Sequence, residues 1–249
     1  MKDFYHAIET TDRPYNIMGL FPPNKLAAIA QFAGLDAASK VIEFGCGFGE
    51  ALFVWAETFG ISGIGLDAGE DQIRGAIDAA RRSPHAGRLE YVCTDAPKYE
   101  FEIQSFDMAA CINATNMFGQ QDVMFRNAIR HMKQAIRNDG YLLIAEPYYN
   151  KPDVPPELID YEGPLTIEEN LIQAMHAEGF DLVYMLHSDR ADWDRYISSN
   201  AYLTTEWLKE NPDHPEYQQR LKGHRRWSEM YVKFRLPYQE SVAILMTRV

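Results

Sequence analysis

Apolar positions switch repeatedly between two spacings along the first 150 residues. "KVIEFG" (40–45) is a continuous apolar run of strand length, and "EALFVWAETFG" (50–60) has helical spacing stopped by Gly60. "SGIGLD" (62–67), "RLEYVCTD" (88–95), "FDMAACIN" (106–113) and "YLLIAEP" (141–147) read as further strands. Between them, "EDQIRGAIDAARR" (70–82) is amphipathic, with acids at its start and arginines at its end, as the helix dipole favours. "QDVMFRNAIRHMKQAI" (121–136) predicts another helix, "NDG" (138–140) a turn, and "NKLAAIAQFAGL" (24–35) a helix beside the first strand. This alternation predicts an α/β, doubly wound, mostly parallel sheet.

The second half is less regular. "YYNKPDVPPELIDYEGP" (148–164) is proline-rich and predicts an irregular connection over one end of the sheet. Thr166 and Glu169 have capping-box spacing and open a helix reaching about Glu178, followed by the strand "FDLVYMLHS" (180–188). Residues 189–237 are dense in aromatic and charged side chains and predict two or three inserted helices. There Trp193, Tyr196, Leu203 and Trp207 follow approximate helical spacing and are expected to pack on the sheet, serving also as a lid. "ESVAILMTRV" (240–249) is the last strand. With no internal repeat and no linker, residues 1–249 read as a single domain, with an N-terminal arm over 1–23.

Charge narrows the partners. Lys and Arg total 24 against 36 Asp and Glu, a formal charge of −12, which disfavours nucleic acid and anionic membrane surfaces and leaves small solutes. The N-terminal residues lack the apolar core of a signal peptide and no run of about 18 apolar residues occurs, so a cytoplasmic location is expected. Cys46, Cys93 and Cys111 are too scattered for a disulfide framework and are expected to be buried thiols. No acid or histidine spacing predicts a metal site.

Gly45, Gly47 and Gly49 lie between a strand and a helix, where missing side chains let a ligand approach the backbone and the amides that open the helix. A dinucleotide fingerprint wants a third glycine where Glu50 stands. At ~5 Å and an effective dielectric of ~20, each like-charge pair with a pyrophosphate costs roughly 3 kcal/mol, so a ligand without phosphates fits better. Asp67 ends the second strand, where a carboxylate can accept both hydroxyls of a ribose, and Asp95 in "CTDAP" can accept from an exocyclic amine. Together they describe an adenosine pocket.

"VIEFGCGFG", "GIGLD", "VCTDA", "FDMAACIN" and "IRNDGYLLIAEP", in that order, resemble the successive motifs of class I S-adenosylmethionine-dependent methyltransferases, of the type 11-like group. The resemblance covers about residues 24 to 188 and the last strand. It implies a Rossmann-like seven-stranded sheet with an antiparallel last strand and a helical insert between strands six and seven. It also implies S-adenosyl-L-methionine as cofactor. Glu43, Gly45, Cys46, Gly47 and Gly49 would then face its methionine part, Asp67 its ribose, Asp95 its adenine amine, and Cys111 to Asn113 its amino acid end through backbone, with Ala68 and Ala96 as further cofactor-binding residues. The later half, with "EPYY" after strand five, resembles bacterial methyltransferases of small molecules.

On that reading the expected reaction is transfer of a methyl group to a small-molecule acceptor by in-line displacement. His187 is a candidate general base and Tyr148 a second catalytic candidate, while Tyr15, Asn16, Tyr149, Trp193 and Tyr196 are candidate acceptor-binding residues. "HRRW" (224–227) reads first as an exposed helix face. Three alternatives stay open: a non-catalytic adenosylmethionine-binding regulatory protein, which would keep the same pocket; a dinucleotide-dependent oxidoreductase, which would need the glycine that Glu50 replaces; and methylation of a polymer, where the charge of −12 disfavours RNA and leaves a protein substrate open.

Overall fold

In the computed structural model, which describes residues 19–85, 87–120 and 123–249, seven strands form one sheet in the order β3-β2-β1-β4-β5-β7-β6. They are β1 (Lys40–Phe44), β2 (Ser62–Asp67), β3 (Leu89–Cys93), β4 (Phe106–Ile112), β5 (Ile136–Tyr149), β6 (Asp181–His187) and β7 (Gln239–Thr247). Six run parallel, and β7 is antiparallel to both β5 and β6. Central strands covered on both faces need apolar residues at every position, and Val41, Ile42, Phe44, Ala109, Ala110, Leu143 and Ile144 are all inaccessible to solvent.

Successive side chains of a strand point to opposite faces, so the sheet separates two cores. On the first face, Val41, Met108, Ala110, Leu143, Ala145, Ala243 and Leu245 meet α1 (Pro23–Gln31), α2 (Glu50–Phe59) and α3 (Glu70–Arg82). On the second, Ile42, Phe44, Ala109, Leu142, Ile144 and Val242 meet α4 (Met124–Met132) and α6 (Glu168–Ala177). The short α5 (Pro156–Glu162) lies in the proline-rich connection. Chain order reverses between β1 and β4, which opens a crevice at their carboxyl ends.

Three local expectations are corrected. "NDG" does not interrupt β5: it is absorbed as an irregularity opposite the register shift between Phe106 and Met108. Gly140 allows this, because a Cβ there would lie 2.9 Å from the Ile136 Cβ and 3.1 Å from the Asp107 carbonyl. Thr166 and Glu169 make no capping box, since α6 starts at Glu168 with Ile167 in the cap position. The capping box instead opens α7 (Arg190–Glu210), where Asp189 accepts from the Asp192 amide at 3.0 Å and Asp192 from the Asp189 amide at 2.9 Å.

The insert between β6 and β7 comprises α7, α8 (Tyr217–Met230) and a π-helical turn at Tyr231–Arg235. Trp193 joins the core of the first face and Tyr196 packs against it, as expected, with Ile197 beside them. Trp207 does not. It is buried inside the insert, edge-on to His214 at 5.0 Å and under the Arg220 guanidinium at 4.0 Å. Two cations tie α7 to the chain before β1: Lys25 pairs with Asp192 and, at 2.8 Å, with Asp189, and Arg195 donates to the carbonyls of Gly19 and Leu20 at 2.9 and 2.7 Å. Among the described residues no helix is long and apolar enough to cross a membrane.

Candidate active site

A cavity of about 430 Å³ opens on the first face at the carboxyl ends of β1, β2, β4 and β5, under α7 of the insert. Glu43, Gly45, Cys46, Gly47, Asp67 and Asn113 line one part of it, and Trp193, Tyr196, Arg235 and Gln239 another.

The glycine loop is held by its neighbours. The Gly45 and Cys46 amides donate to the Leu66 carbonyl at 2.8 and 3.0 Å, and Asp67 Oδ2 accepts from the Gly47 amide at 2.9 Å. Asp67 Oδ1 takes the Gly69 amide at 2.8 Å. All three glycines have positive φ, yet they are bare for different reasons. A Cβ on Gly45 would lie 2.5 Å from the Ala114 Cβ, and one on Gly49 2.5 Å from the Tyr91 ring, so both serve packing. Only around Gly47 is the space within 4 Å open. Of the three, Gly47 is the one whose missing side chain leaves space free for an approaching ligand.

Glu43 is 3% exposed, and its Oε2 is buried without a hydrogen-bond partner. Burial, then the charges of Glu50 and Asp67, push its carboxyl well above the usual carboxylate range, and the Leu52 amide opposes this in part. Two further buried polar atoms lack partners on the insert side, Trp193 Nε1 and Gln239 Oε1. An unpartnered buried polar group is costly, and three of them around one cavity suit a polar ligand. Glu50, where the third glycine of a dinucleotide fingerprint would stand, also lines the cavity and accepts from the Gly19 amide at 3.0 Å. The adenosylmethionine expectation therefore passes a test of fit: open backbone at Gly47, a buried acid at Glu43, and no basic residue among Gly45–Glu50 for phosphates.

The other expected residues divide by face. Asn113, with φ of 53°, lines the cavity and accepts from the Ser241 hydroxyl at 3.1 Å. Cys111, one register position from Ile112, points into the core of the second face, where burial and then the Glu146 charge push its thiol up. Asp95 is about half-exposed outside the cavity and pairs with Lys98 at 2.6 Å, while Ala96 is buried in the second core. Ala68 does not line the cavity either; its carbonyl faces the thiol of Cys93, which is exposed and not buried as expected.

The catalytic candidates Tyr148 and His187 are also displaced. Tyr148 projects from β5 on the second face and donates to Glu240 Oε2 at 2.7 Å; burial, then this acceptor, raises its phenol far above the ordinary value. His187 pairs with Val242 of the same face, contacts Glu168 Oε1 through Nε2 at 2.5 Å, and lies edge-on to Tyr148 at 6.2 Å. Two-residue strand periodicity sends both away from the cavity. Tyr149 donates to the Gly163 carbonyl at 2.7 Å in a satellite core with Leu158 and Phe234, its phenol pushed up to about 12 by burial and then by Glu162. Trp193 and Tyr196 do line the cavity. Tyr15 and Asn16 lie outside the described residues. Arg225 and Arg226 are exposed on α8, as expected.

Sequence reasoning missed Glu162, Arg235, Gln239 and Ser241, which close the cavity from the proline-rich connection, the π turn and β7. The strand period from the buried Ala243 and Leu245 puts Gln239 and Ser241 on the first face, a signal that was available. Nothing in the spacing of "KFRLP" distinguishes Arg235 from any exposed arginine.

Comparison with known proteins agrees with this geometry. Residues 41–140 match the family described as methyltransferase domain. The chain is 28% identical over 219 residues to the uncharacterized protein YjhP of Escherichia coli, covering 85% of each. The X-ray structure of YjhP has a TM-score of 0.87 at 23% identity, covering all of both chains. A SAM-dependent methyltransferase from Thiobacillus denitrificans in complex with S-adenosyl-L-homocysteine has a TM-score of 0.86 at 23% identity, covering 99% of this chain and 97% of that one. At these identities the structural likenesses speak for fold, and the domain match adds the activity. Residues 41–140 thus carry a methyltransferase domain, and the seven-stranded fold around them is that of S-adenosylmethionine-dependent methyltransferases.

Proposed function

We propose that the chain transfers a methyl group to a small-molecule acceptor by in-line displacement. The observation that carries this reading is a cavity covered by an aromatic-lined insert, with unpartnered buried polar atoms at both its glycine-loop and insert ends. When bound, S-adenosylmethionine supplies a sulfonium-activated methyl group. Glu43 and Gly47 serve its methionine part and Asp67 its ribose; the half-exposed Asp95, just beyond β3, serves its adenine. Trp193 and Tyr196 exclude water and align the acceptor, and alignment of this kind is worth roughly 7–11 kcal/mol of barrier. With Tyr148 and His187 on the far face, none of the expected bases borders the cavity, which suits an acceptor that is already nucleophilic or loses its proton to solvent.

Calorimetric titration with S-adenosylmethionine, S-adenosylhomocysteine and NAD, beside an Asp67→Ala control, tests the cofactor half. Micromolar binding of the first two, lost in the control, is the expected result; preference for NAD contradicts it.

A further inference from the structure

The acceptor side of the cavity contains a charge arrangement that the cofactor side does not. Among the described lining residues Arg235 is the one cation, against the acids Glu43, Glu50, Asp67 and Glu162. It ends the π turn, its side chain is 15% exposed, and its guanidinium carbon stands 5.9 Å from the centre of the Trp193 ring. Irregular turns of this type recur at functional sites.

Its pairing is incomplete. Nε and Nη2 both reach a single oxygen, Glu162 Oε1, at 2.7 and 2.5 Å, instead of forming the two parallel bonds that a guanidinium and a carboxylate make. Nη1 and its two hydrogens have no hydrogen-bond partner among the described residues. On the same side of the cavity, Trp193 Nε1 is a buried donor without an acceptor, and Trp193 as a whole is only 8% exposed. A guanidinium cannot shed its proton, so one that is mostly shielded, with an edge unpaired by the protein, is suited to a planar anion.

We propose that Arg235 is the receptor for a carboxylate on the acceptor, and that the acceptor is an anionic small molecule with an apolar body. This rests on the reading of the cavity as an adenosylmethionine site. Glu162 holds the guanidinium in place, its open edge takes the carboxylate, Trp193 Nε1 is the neighbouring donor, and Phe21 and Tyr196 offer apolar walls. The sulfonium of the bound cofactor adds positive charge to the cavity, which attracts an anion; after transfer the sulfur is a neutral thioether, and the attraction falls as the product must leave.

The test uses the full chain saturated with S-adenosylhomocysteine. Benzoate and 3-phenylpropionate, with their uncharged amides as controls, are titrated by ligand-observed NMR against the native chain, Arg235→Gln, Arg235→Lys and Glu162→Gln. The S-adenosylhomocysteine affinity of each is measured first. The expected result is that the acids bind roughly tenfold or more tighter than the amides. Arg235→Gln should abolish that preference with cofactor-product affinity retained, Arg235→Lys should keep part of it, and Glu162→Gln should strengthen it. Equal affinity for acids and amides, no acid binding at millimolar concentration, or a preference that survives in Arg235→Gln overturns the proposal. Loss of S-adenosylhomocysteine binding in a folded Arg235→Gln also overturns it, by assigning the guanidinium to the cofactor's own carboxylate. Failure of S-adenosylhomocysteine to bind the native chain would instead overturn the underlying reading, and it shows before any acid is added.

Discussion

The Asp67 carboxylate accepts the Gly47 amide at 2.9 Å across 20 residues of chain, so the acid at the end of β2 braces the one glycine of the loop that faces open space. Its other oxygen holds Gly69. Asp67→Ala should therefore lower both stability and cofactor affinity, with loss of charged hydrogen bonds costing on the order of 1.5–3 kcal/mol in urea unfolding. Asp67→Asn keeps one acceptor and should recover part of the stability. Unchanged unfolding midpoints in both variants would refute the bracing role.

The glycines should separate in a paired experiment. Gly49→Ala meets the Tyr91 ring at 2.5 Å and should destabilise the chain strongly, with or without ligand. Gly47→Ala meets nothing within 4 Å and carries only the strain of a φ of 52°, about 1–2 kcal/mol. Its main effect should be on S-adenosylhomocysteine affinity, read by calorimetry. If Gly47→Ala bound normally, Gly47 would not be the point of ligand approach.

Glu43 sets stability against binding. Its buried carboxyl is held well above the usual range by burial and by the Glu50 and Asp67 charges, so Glu43→Gln removes a group the free protein accommodates poorly. The melting temperature of the free chain should rise at neutral pH while S-adenosylmethionine affinity falls, the trade common at functional sites. A variant that is both less stable and equally good at binding would contradict this.

Glu146 should give stability a measurable pH dependence. It is 1% exposed, its Oε2 accepts from the Thr115 hydroxyl, and burial pushes its pKa up to about 7 against 4.5 for an ordinary glutamate. Between those values the folded chain binds more protons than the unfolded one. The contribution is thus fully present below pH 4.5 and is lost as pH rises through about 7, a change of roughly 3 kcal/mol. Glu146→Gln should lose that much less stability between pH 4.5 and 8 in urea titrations. Identical pH slopes for the two proteins would sink the assignment.

The alternation of apolar runs and amphipathic helices determined the sheet, its mostly parallel order and the presence of an insert, because periods of 2 and 3.6 are written residue by residue. The glycine loop, Glu43, Asp67 and Asn113 were legible for a related reason: they lie at strand ends, where this architecture gathers ligands. Tertiary structure alone decided the rest. Whether a strand-end side chain enters the cavity depends on its parity relative to Glu43, and that parity is set by register between strands far apart in sequence. So Cys111, Tyr148 and His187 lie on the second face, whereas Trp193 and Tyr196 enter the cavity because their helix α7 folds over it. Likewise, that Gly49 makes room for Tyr91 and that Arg235 meets Glu162, 73 residues away, are facts of packing, because no local pattern specifies which distant side chain will fill a given space.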